Sequence, residues 1–333
     1  MQPLRTPAAT RGLRVLVAVA AVLLLAGCQA RPTFPRPAAV PVPPPAPLPA
    51  PVNFAGLIPD EVLASNPPLD PMPSPGQMPE GSYMRQIQDS GKLVAGLRSD
   101  IVLFSFIDPL TGTRDGFDVA MVRAVANAIF GSDDASHLDM RTVLSADRIP
   151  SLQQGRFNIV AAVMTITAGR KEQIDFSELY FRAAQRVLVS ADNPAKGIED
   201  MDGQRVCAAE GSTSVPQILG ANPRVQIVVR DSESDCAADL QLGLVDAVST
   251  DDAILAGFGT QAGYARVIGQ PFSDEPYGLG MQKGHPEFVA FVNGVLSRMK
   301  QSGEWKALYE RYLAAGLTPG QPTPEPPKSI YSR

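Results

Sequence analysis

From Lys92 onward, short apolar runs alternate with segments of helical period, and that alternation leaves few architectures open. Lys92-Leu93-Val94-Ala95-Gly96-Leu97 reads as a buried strand that stops at Arg98-Ser99-Asp100. Gly116-Phe117-Asp118 then introduces a helix, with Asp118 placed to cap the first free amides and Val119, Val122, Ala126 and Ile129 following at helical spacing. Met140 to Leu144 is a second short strand, and Asp147 precedes a helix built on Ile149 and Leu152. A third strand, Phe157 to Val163, opens into Met164-Thr165-Ile166-Thr167. Strand, helix, strand, helix, strand predicts an α/β fold with a mainly parallel sheet and helices on both faces. Ligands of such sheets bind outside the carboxyl ends of the strands, where Arg98, Thr165 and Arg170 fall. Arg148 begins a helix near the same edge.

The pattern then repeats. Arg186 to Ser190, Arg205 to Ala209, Val225 to Val229 and Ala247 to Ser249 read as strands. The loop Gly211-Ser212-Thr213-Ser214 and helices from Val215 and Ser234 lie between them. Asp251-Asp252 leads into a further helix. The chain returns through Tyr277 to Met281 and closes with helices from Pro286 to Met299 and from Gly303 to Tyr312, where Trp305, Leu308 and Tyr312 have core spacing. Two lobes are therefore expected, residues 81–182 plus 277–317 and residues 183–276, joined by a two-stranded hinge.

The regions outside these lobes cannot extend the sheet. Arg5, Arg11 and Arg14 precede an apolar run, Val15 to Ala26, that is too short to span a bilayer and has signal-peptide asymmetry. It ends in Leu25-Ala26-Gly27-Cys28, a lipobox, so residues 1–27 are expected to be removed and Cys28 to be diacylated on sulfur, anchoring the chain to the outer face of the cell membrane. An ordinary signal peptide with an incidental cysteine is the alternative. Residues 28–80 are rich in proline, which lacks the ladder donor and favours polyproline II at about 3.1 Å per residue, predicting a tether of up to roughly 100 Å. Residues 318–333 are expected to be a flexible proline-rich tail.

A net charge of −5, with no basic cluster after the signal peptide, argues against nucleic acid. His137 and His285 stand far apart with no ligand spacing around them, so neither a metal site nor a cofactor is expected. Beyond Cys28 only Cys207 and Cys236 remain, and in an exported chain a disulfide between them is favoured over two buried thiols.

From Gly91 to Leu313 the chain resembles the periplasmic solute-binding proteins of family 3, polar amino-acid receptors of ABC uptake systems. The resemblance rests on an ordered set. Gly116-Phe117-Asp118-Val119 comes first, followed by Ile149 to Gly155 and then Thr165-Ile166-Thr167 with Arg170 and Ile174-Asp175-Phe176-Ser177. Gly211 to Ser214, Asp251 and Tyr277-Gly278 complete it. It implies a two-lobed type II fold in which Arg170 holds the α-carboxylate of an amino acid bidentately, helped by the Thr165 hydroxyl. Asp251 takes the ammonium group, while the Val163 backbone and Thr213 add hydrogen bonds. A guanidinium fork matches a carboxylate and stays charged when desolvated. Where glutamine-binding members carry an acid and an aromatic wall residue, this chain has Arg98 and Ile101. The run from Arg98 to Phe106 looks like glutamate/aspartate-binding members, in which Arg98 and Arg148 would clamp the side-chain carboxylate.

With Arg98, Arg148, Arg170, Asp251 and Glu233 all facing the cleft, its charge is positive and a dicarboxylate balances it. Ser99, Glu233 and Tyr277 are secondary candidates for contact, and Phe104 and Phe181 for packing or pocket wall. Each arginine has the alternative of a solvated surface position, and Asp251 that of a helix cap. The expectation is a binding protein for L-aspartate or L-glutamate, with asparagine and glutamine as further ligands. It would close about its hinge and present the ligand to an ABC permease or to a transmembrane sensor. An enzyme on the same fold, a cyclic-acid dehydratase with Glu210 or Glu233 as acid, is the alternative; Ser212 and Ser214 have no evident base.

Overall fold

The computed structural model describes residues 58–261 and 263–332. The expected signal peptide, Cys28 and the tether up to residue 57 lie outside these residues.

The first sheet runs in the order Leu138–Thr142, Leu93–Leu97, Ile159–Ala161, Gly280–Met281, Asp175–Phe176. The first three strands are parallel, and Gly280–Met281 is antiparallel to both of its neighbours. Alternate residues explain why both faces are covered. Leu93, Ala95, Leu97, Ile159 and Ala161 pack into one apolar cluster with the helix Phe117–Phe130, whereas Val160 and Ala162 pack with Leu152, Ile174 and Phe176 on the other side.

The second sheet has the order Gln226–Arg230, Arg205–Ala209, Ala247–Asp251, Gln185–Ser190, Ala265–Ile268. Its first three strands are again parallel and its last two antiparallel to their neighbours. A disulfide joins Cys207 in the strand Arg205–Ala209 to Cys236 in the helix Glu233–Gln241. Between the lobes Phe181–Ala183 pairs antiparallel with Glu275–Tyr277, giving the two-stranded hinge. The rings of Phe104, Phe181 and Tyr277 pack edge-on or tilted against one another beside it, so the two phenylalanines are packing residues.

Three expectations need correction. The tail is not loose: Tyr331 forms a parallel bridge with Ser65, and Ser332 N–H donates to the Ser65 carbonyl at 2.8 Å. The Tyr331 hydroxyl donates to Glu178, and Ile330 packs on the cluster that holds Leu63. Proline removes donors only at its own positions, and this tail keeps enough of them at Ile330, Tyr331 and Ser332 to pair. The last part of the expected tether is also packed. Asp60–Leu63 is a helical turn, Leu63 is buried, and Lys171 Nζ donates to the Val62 and Ala64 carbonyls at 3.0 and 2.6 Å. Finally, Asp118 does not cap its helix; Gly116 is the capping position, and Asp118 turns inward.

Candidate functional site

The strand ends deliver polar side chains into the space between the lobes. The lobes are closed on each other, leaving a cavity of about 10 Å³. It is lined by Ser145, Arg148, Val163, Thr165 and Arg170 from the first lobe and by Ser212, Thr213, Ser214, Glu233, Thr250, Asp251 and Ile254 from the second. That is room for about one water molecule, so an amino acid is admitted only when the lobes part.

Arg148 and Arg170 converge. Nη2 of Arg170 donates to the Gly211 carbonyl at 3.1 Å, and Nη2 of Arg148 lies 3.5 Å from the same oxygen. The rest of Arg148 is anchored, Nε to the Ser145 carbonyl at 3.0 Å and Nη1 to the Ala162 carbonyl at 2.8 Å, while Arg170 Nη1 donates to the Thr165 carbonyl at 2.8 Å. Burial is the main cause lowering both guanidinium pKa values, and the nearby Arg170 charge adds to it at Arg148, which falls to about 9. Two cations aimed at one oxygen form one anion site. Gly211 comes close to the first lobe because it has no side chain. Its φ is +71°, and a Cβ there would stand 2.5 Å from Ala146 Cα.

Arg98 lies behind the cavity wall rather than on it. It is 1 % exposed and forks onto Asp100 at 3.0 and 2.9 Å, donates to Ser145 Oγ at 3.0 Å and reaches Glu233 Oε2 across the lobes at 2.8 Å. Burial opposes its charge, but Glu233 and Asp100 outweigh that and raise its pKa. Asp100 also accepts from Ser234 Oγ at 2.8 Å, a second link between the lobes. The side chain expected to clamp a ligand carboxylate thus has its own carboxylates in place.

Glu275, missed in the sequence, is fully buried on the hinge strand and accepts from Thr165 at 2.7 Å, Thr213 at 2.8 Å and Ser273 at 2.5 Å. Asp251 accepts from the Tyr277 hydroxyl at 2.5 Å, and burial followed by the Glu275 charge pushes its carboxyl well up. Tyr277 therefore supports Asp251 rather than facing the cavity. Val163 has φ +45° and gives its N–H to Asp118 at 2.9 Å, so only its carbonyl remains for a ligand. Tyr180 donates to the other Asp118 oxygen at 2.6 Å. Ser99 is not among the cavity residues; its carbonyl accepts from Ile107 N–H at 3.0 Å. With Asp100 and Glu275 included, three guanidinium groups meet four carboxylates, and the expected positive excess disappears.

Two lobes, a two-stranded hinge and a cleft with paired arginines opposite buried carboxylates define a hinge-closing receptor for a small zwitterion. Residues 93–315 match the bacterial extracellular solute-binding proteins, family 3, and the chain belongs to that family. It is 34 % identical over 228 residues to the ABC transporter glutamine-binding protein GlnH of Bacillus subtilis, covering 68 % of this chain and 83 % of that protein. It is 32 % identical over 235 residues to the glutamate-binding protein GluB of Corynebacterium glutamicum, covering 68 % and 79 %. Among solved structures, an ancestral arginine-binding protein bound to glutamine superposes with a TM-score of 0.62 at 33 % identity, covering 67 % of this chain and 98 % of that one. The fold is that of type II periplasmic amino-acid-binding proteins.

Proposed function

We propose that this protein is a receptor for a polar L-amino acid, with L-glutamine and L-asparagine preferred over the corresponding acids. The convergence of Arg148 and Arg170 on one oxygen, the Gly211 carbonyl, carries the reading, because two guanidinium groups aimed at one point suit a single α-carboxylate. Asp251 faces it across the cavity as ammonium acceptor. Toward Arg98 the wall offers Glu233 as an acceptor and Ser145 as a hydroxyl whose oxygen already accepts from Arg98, leaving its proton for the ligand. An acceptor beside a donor complements a carboxamide. A ligand carboxylate would meet Glu233 instead.

The glutamine-binding relative supports the amide reading. The glutamate-binding relative, together with Arg98 beside the wall, favours a second reading in which an acidic ligand displaces Glu233 from Arg98 on binding. The dehydratase alternative has less support, since Glu233 is held as a salt-bridge partner rather than as a free acid and the relatives carry binding names. In the cell we place the receptor on the outer face of the membrane, anchored through Cys28, delivering its ligand to an ABC permease or a transmembrane sensor.

Titration calorimetry with L-glutamine, L-asparagine, L-glutamate and L-aspartate tests the reading. The amides should bind more tightly, and Arg170→Ala should weaken all four by roughly 100-fold, the loss of charge-assisted hydrogen bonds to a carboxylate. Retained affinity in that variant removes the site. Acids binding more tightly than amides select the second reading.

A further inference from the structure

We infer that the protein carries a second ligand site, beside the hinge and separate from the interlobe cleft, that takes a hydrophobic organic amine. This site lies outside the receptor reading and is tested without it.

The cavity holds about 580 Å³, against about 10 Å³ between the lobes, and the two share no lining residue. That volume suits a drug-sized molecule. Most of its wall comes from residues outside 93–315, the stretch that matches the family: Asp60 and Leu63 on the N-terminal side, and residues from Leu317 to Ile330 in the tail. The tail crosses as a strap tied down at both ends. Thr323 donates to Glu310 at 2.9 Å and Lys306 to Glu325 at 2.6 Å on one side, while Tyr331 and Ser332 pair with Ser65 on the other. Pro326 and Pro327, between these anchors, have no N–H to satisfy, so the strap stands away from the body without losing donors.

The body contributes Phe181 from the hinge strand, Trp305 and Tyr309 from the helix Glu304–Tyr312, and Asp252 from the second lobe. Most other charges on the wall are matched or wet. Arg182 forks onto Asp274 at 2.9 and 3.0 Å, Glu325 holds Lys306, and Asp60 and Lys328 are exposed. Asp252 differs. Its carboxylate accepts the Ala184 N–H at 3.1 Å, and among the described residues no lysine or arginine lies within salt-bridge distance of it. Burial pushes it up to about 6, so it is still mainly ionised at neutral pH. Burial and then the Asp252 charge raise the Tyr309 phenol pKa, which marks the two side chains as neighbours. A carboxylate without a cation, in a cavity walled by three aromatic rings, selects a positive charge on an apolar body: burying the charge alone is costly, and ring faces attract cations.

Trp305 is the single tryptophan of the chain and lines this cavity, so its fluorescence reports the site. The test titrates diphenylpropylamine, diphenylpropanol and diphenylpropanoic acid into wild type, Asp252→Asn and Pro327→Phe, with calorimetry alongside. The amine should saturate one site and bind more tightly than the alcohol by at least roughly tenfold, the scale of one charge-assisted hydrogen bond, with the acid weakest. Asp252→Asn keeps an acceptor for the Ala184 N–H and should bring the amine down to the alcohol. Should that variant not fold, Pro327→Phe, which fills the cavity from the strap, should abolish binding of amine and alcohol alike. Wild type with no saturable response to the amine, equal affinity for amine and acid, or full amine affinity in either variant overturns the inference. The receptor reading is judged apart from these results, by L-glutamine binding in the cleft.

Discussion

Glu233→Gln isolates the side-chain end of the cleft, because it removes one charge from the wall at nearly constant volume. In wild type the Glu233 carboxylate, 3 % exposed, faces the cavity with Arg98 behind it at 2.8 Å. A ligand carboxylate seated against it at about 4 Å meets a repulsion of about 4 kcal/mol at an effective dielectric of about 20. Side-chain relaxation and water reaching the closed cleft take away roughly half, leaving about 2 kcal/mol, or about 30-fold in Kd. The amides do not carry that charge, and a glutamine side chain at position 233 still offers them an acceptor. Glu233→Gln should therefore tighten L-glutamate and L-aspartate by about 30-fold relative to L-glutamine and L-asparagine. The fold is not expected to fail, because Arg98 keeps Asp100 and Ser145. Calorimetry with the four ligands on both proteins reads the ratio directly, with thermal unfolding as the control. An unchanged acid-to-amide ratio would refute the placement of Glu233 beside the ligand side chain.

Burial pushes Asp118 up to about 7 and Asp252 and Asp274 up to about 6. A carboxyl raised in the folded state holds its proton more firmly there than in the unfolded chain, so its contribution to stability is present at acid pH and lost as pH rises through those values. Their joint contribution to the unfolding free energy should decline between about pH 4 and pH 7, and Asp118→Asn should flatten the decline in urea titrations at the two ends of that range. Replacing Cys207 and Cys236 by serine should cost about 3 to 4 kcal/mol in guanidinium unfolding, the chain-entropy value for a loop of this length. Deleting residues 319–333 removes the Ile330 carbonyl, which accepts from Ser65 N–H at 2.9 Å, and bares Leu63. A loss of about 1 to 3 kcal/mol and faster hydrogen exchange at the Ser65 amide are expected; unchanged exchange would mean that the tail does not pair in solution.

Much of the scaffold could be read from the chain because its central strands, such as Leu93–Leu97, Ile159–Ala161 and Arg205–Ala209, are buried on both faces and therefore appear as apolar runs. The strand Arg205–Ala209 falls where the sequence predicts it, and the helix from Pro286 differs only by continuing to Ser302. Tyr277 to Met281, read as one strand, is two. Glu275–Tyr277 belongs to the hinge and Gly280–Met281 to the first sheet, a division that depends on which neighbour each backbone meets. The placement of Arg148 and Arg170 at one edge, though not their convergence on one oxygen, was accessible because each stands beside a motif at a strand or helix end. The balance of charge was not. Asp100 sits two residues from Arg98 in a run that looks like a loop, and Glu275 precedes a proline in a segment read for its aromatic residue. Nothing local says that either is buried, and burial with a partner decides what each carboxylate does. Asp118 makes the same point, since its position suits a cap but its side chain goes to Val163 and Tyr180.

The pairing of Ser65 with Tyr331 brings the two ends of the described chain side by side, with Ile58 and Ile330 packed on one apolar cluster. A short linker can therefore join them at small entropic cost, since closure entropy grows only slowly with length. The turn from Asp108 to Gly112, closed by a 2.8 Å hydrogen bond and carrying Leu110 at 93 % exposure, offers a place to open new ends on the first lobe. A circularly permuted receptor of this kind, with a fluorescent reporter inserted at that turn, would convert lobe motion into light, making the molecule a starting scaffold for an amino-acid sensor.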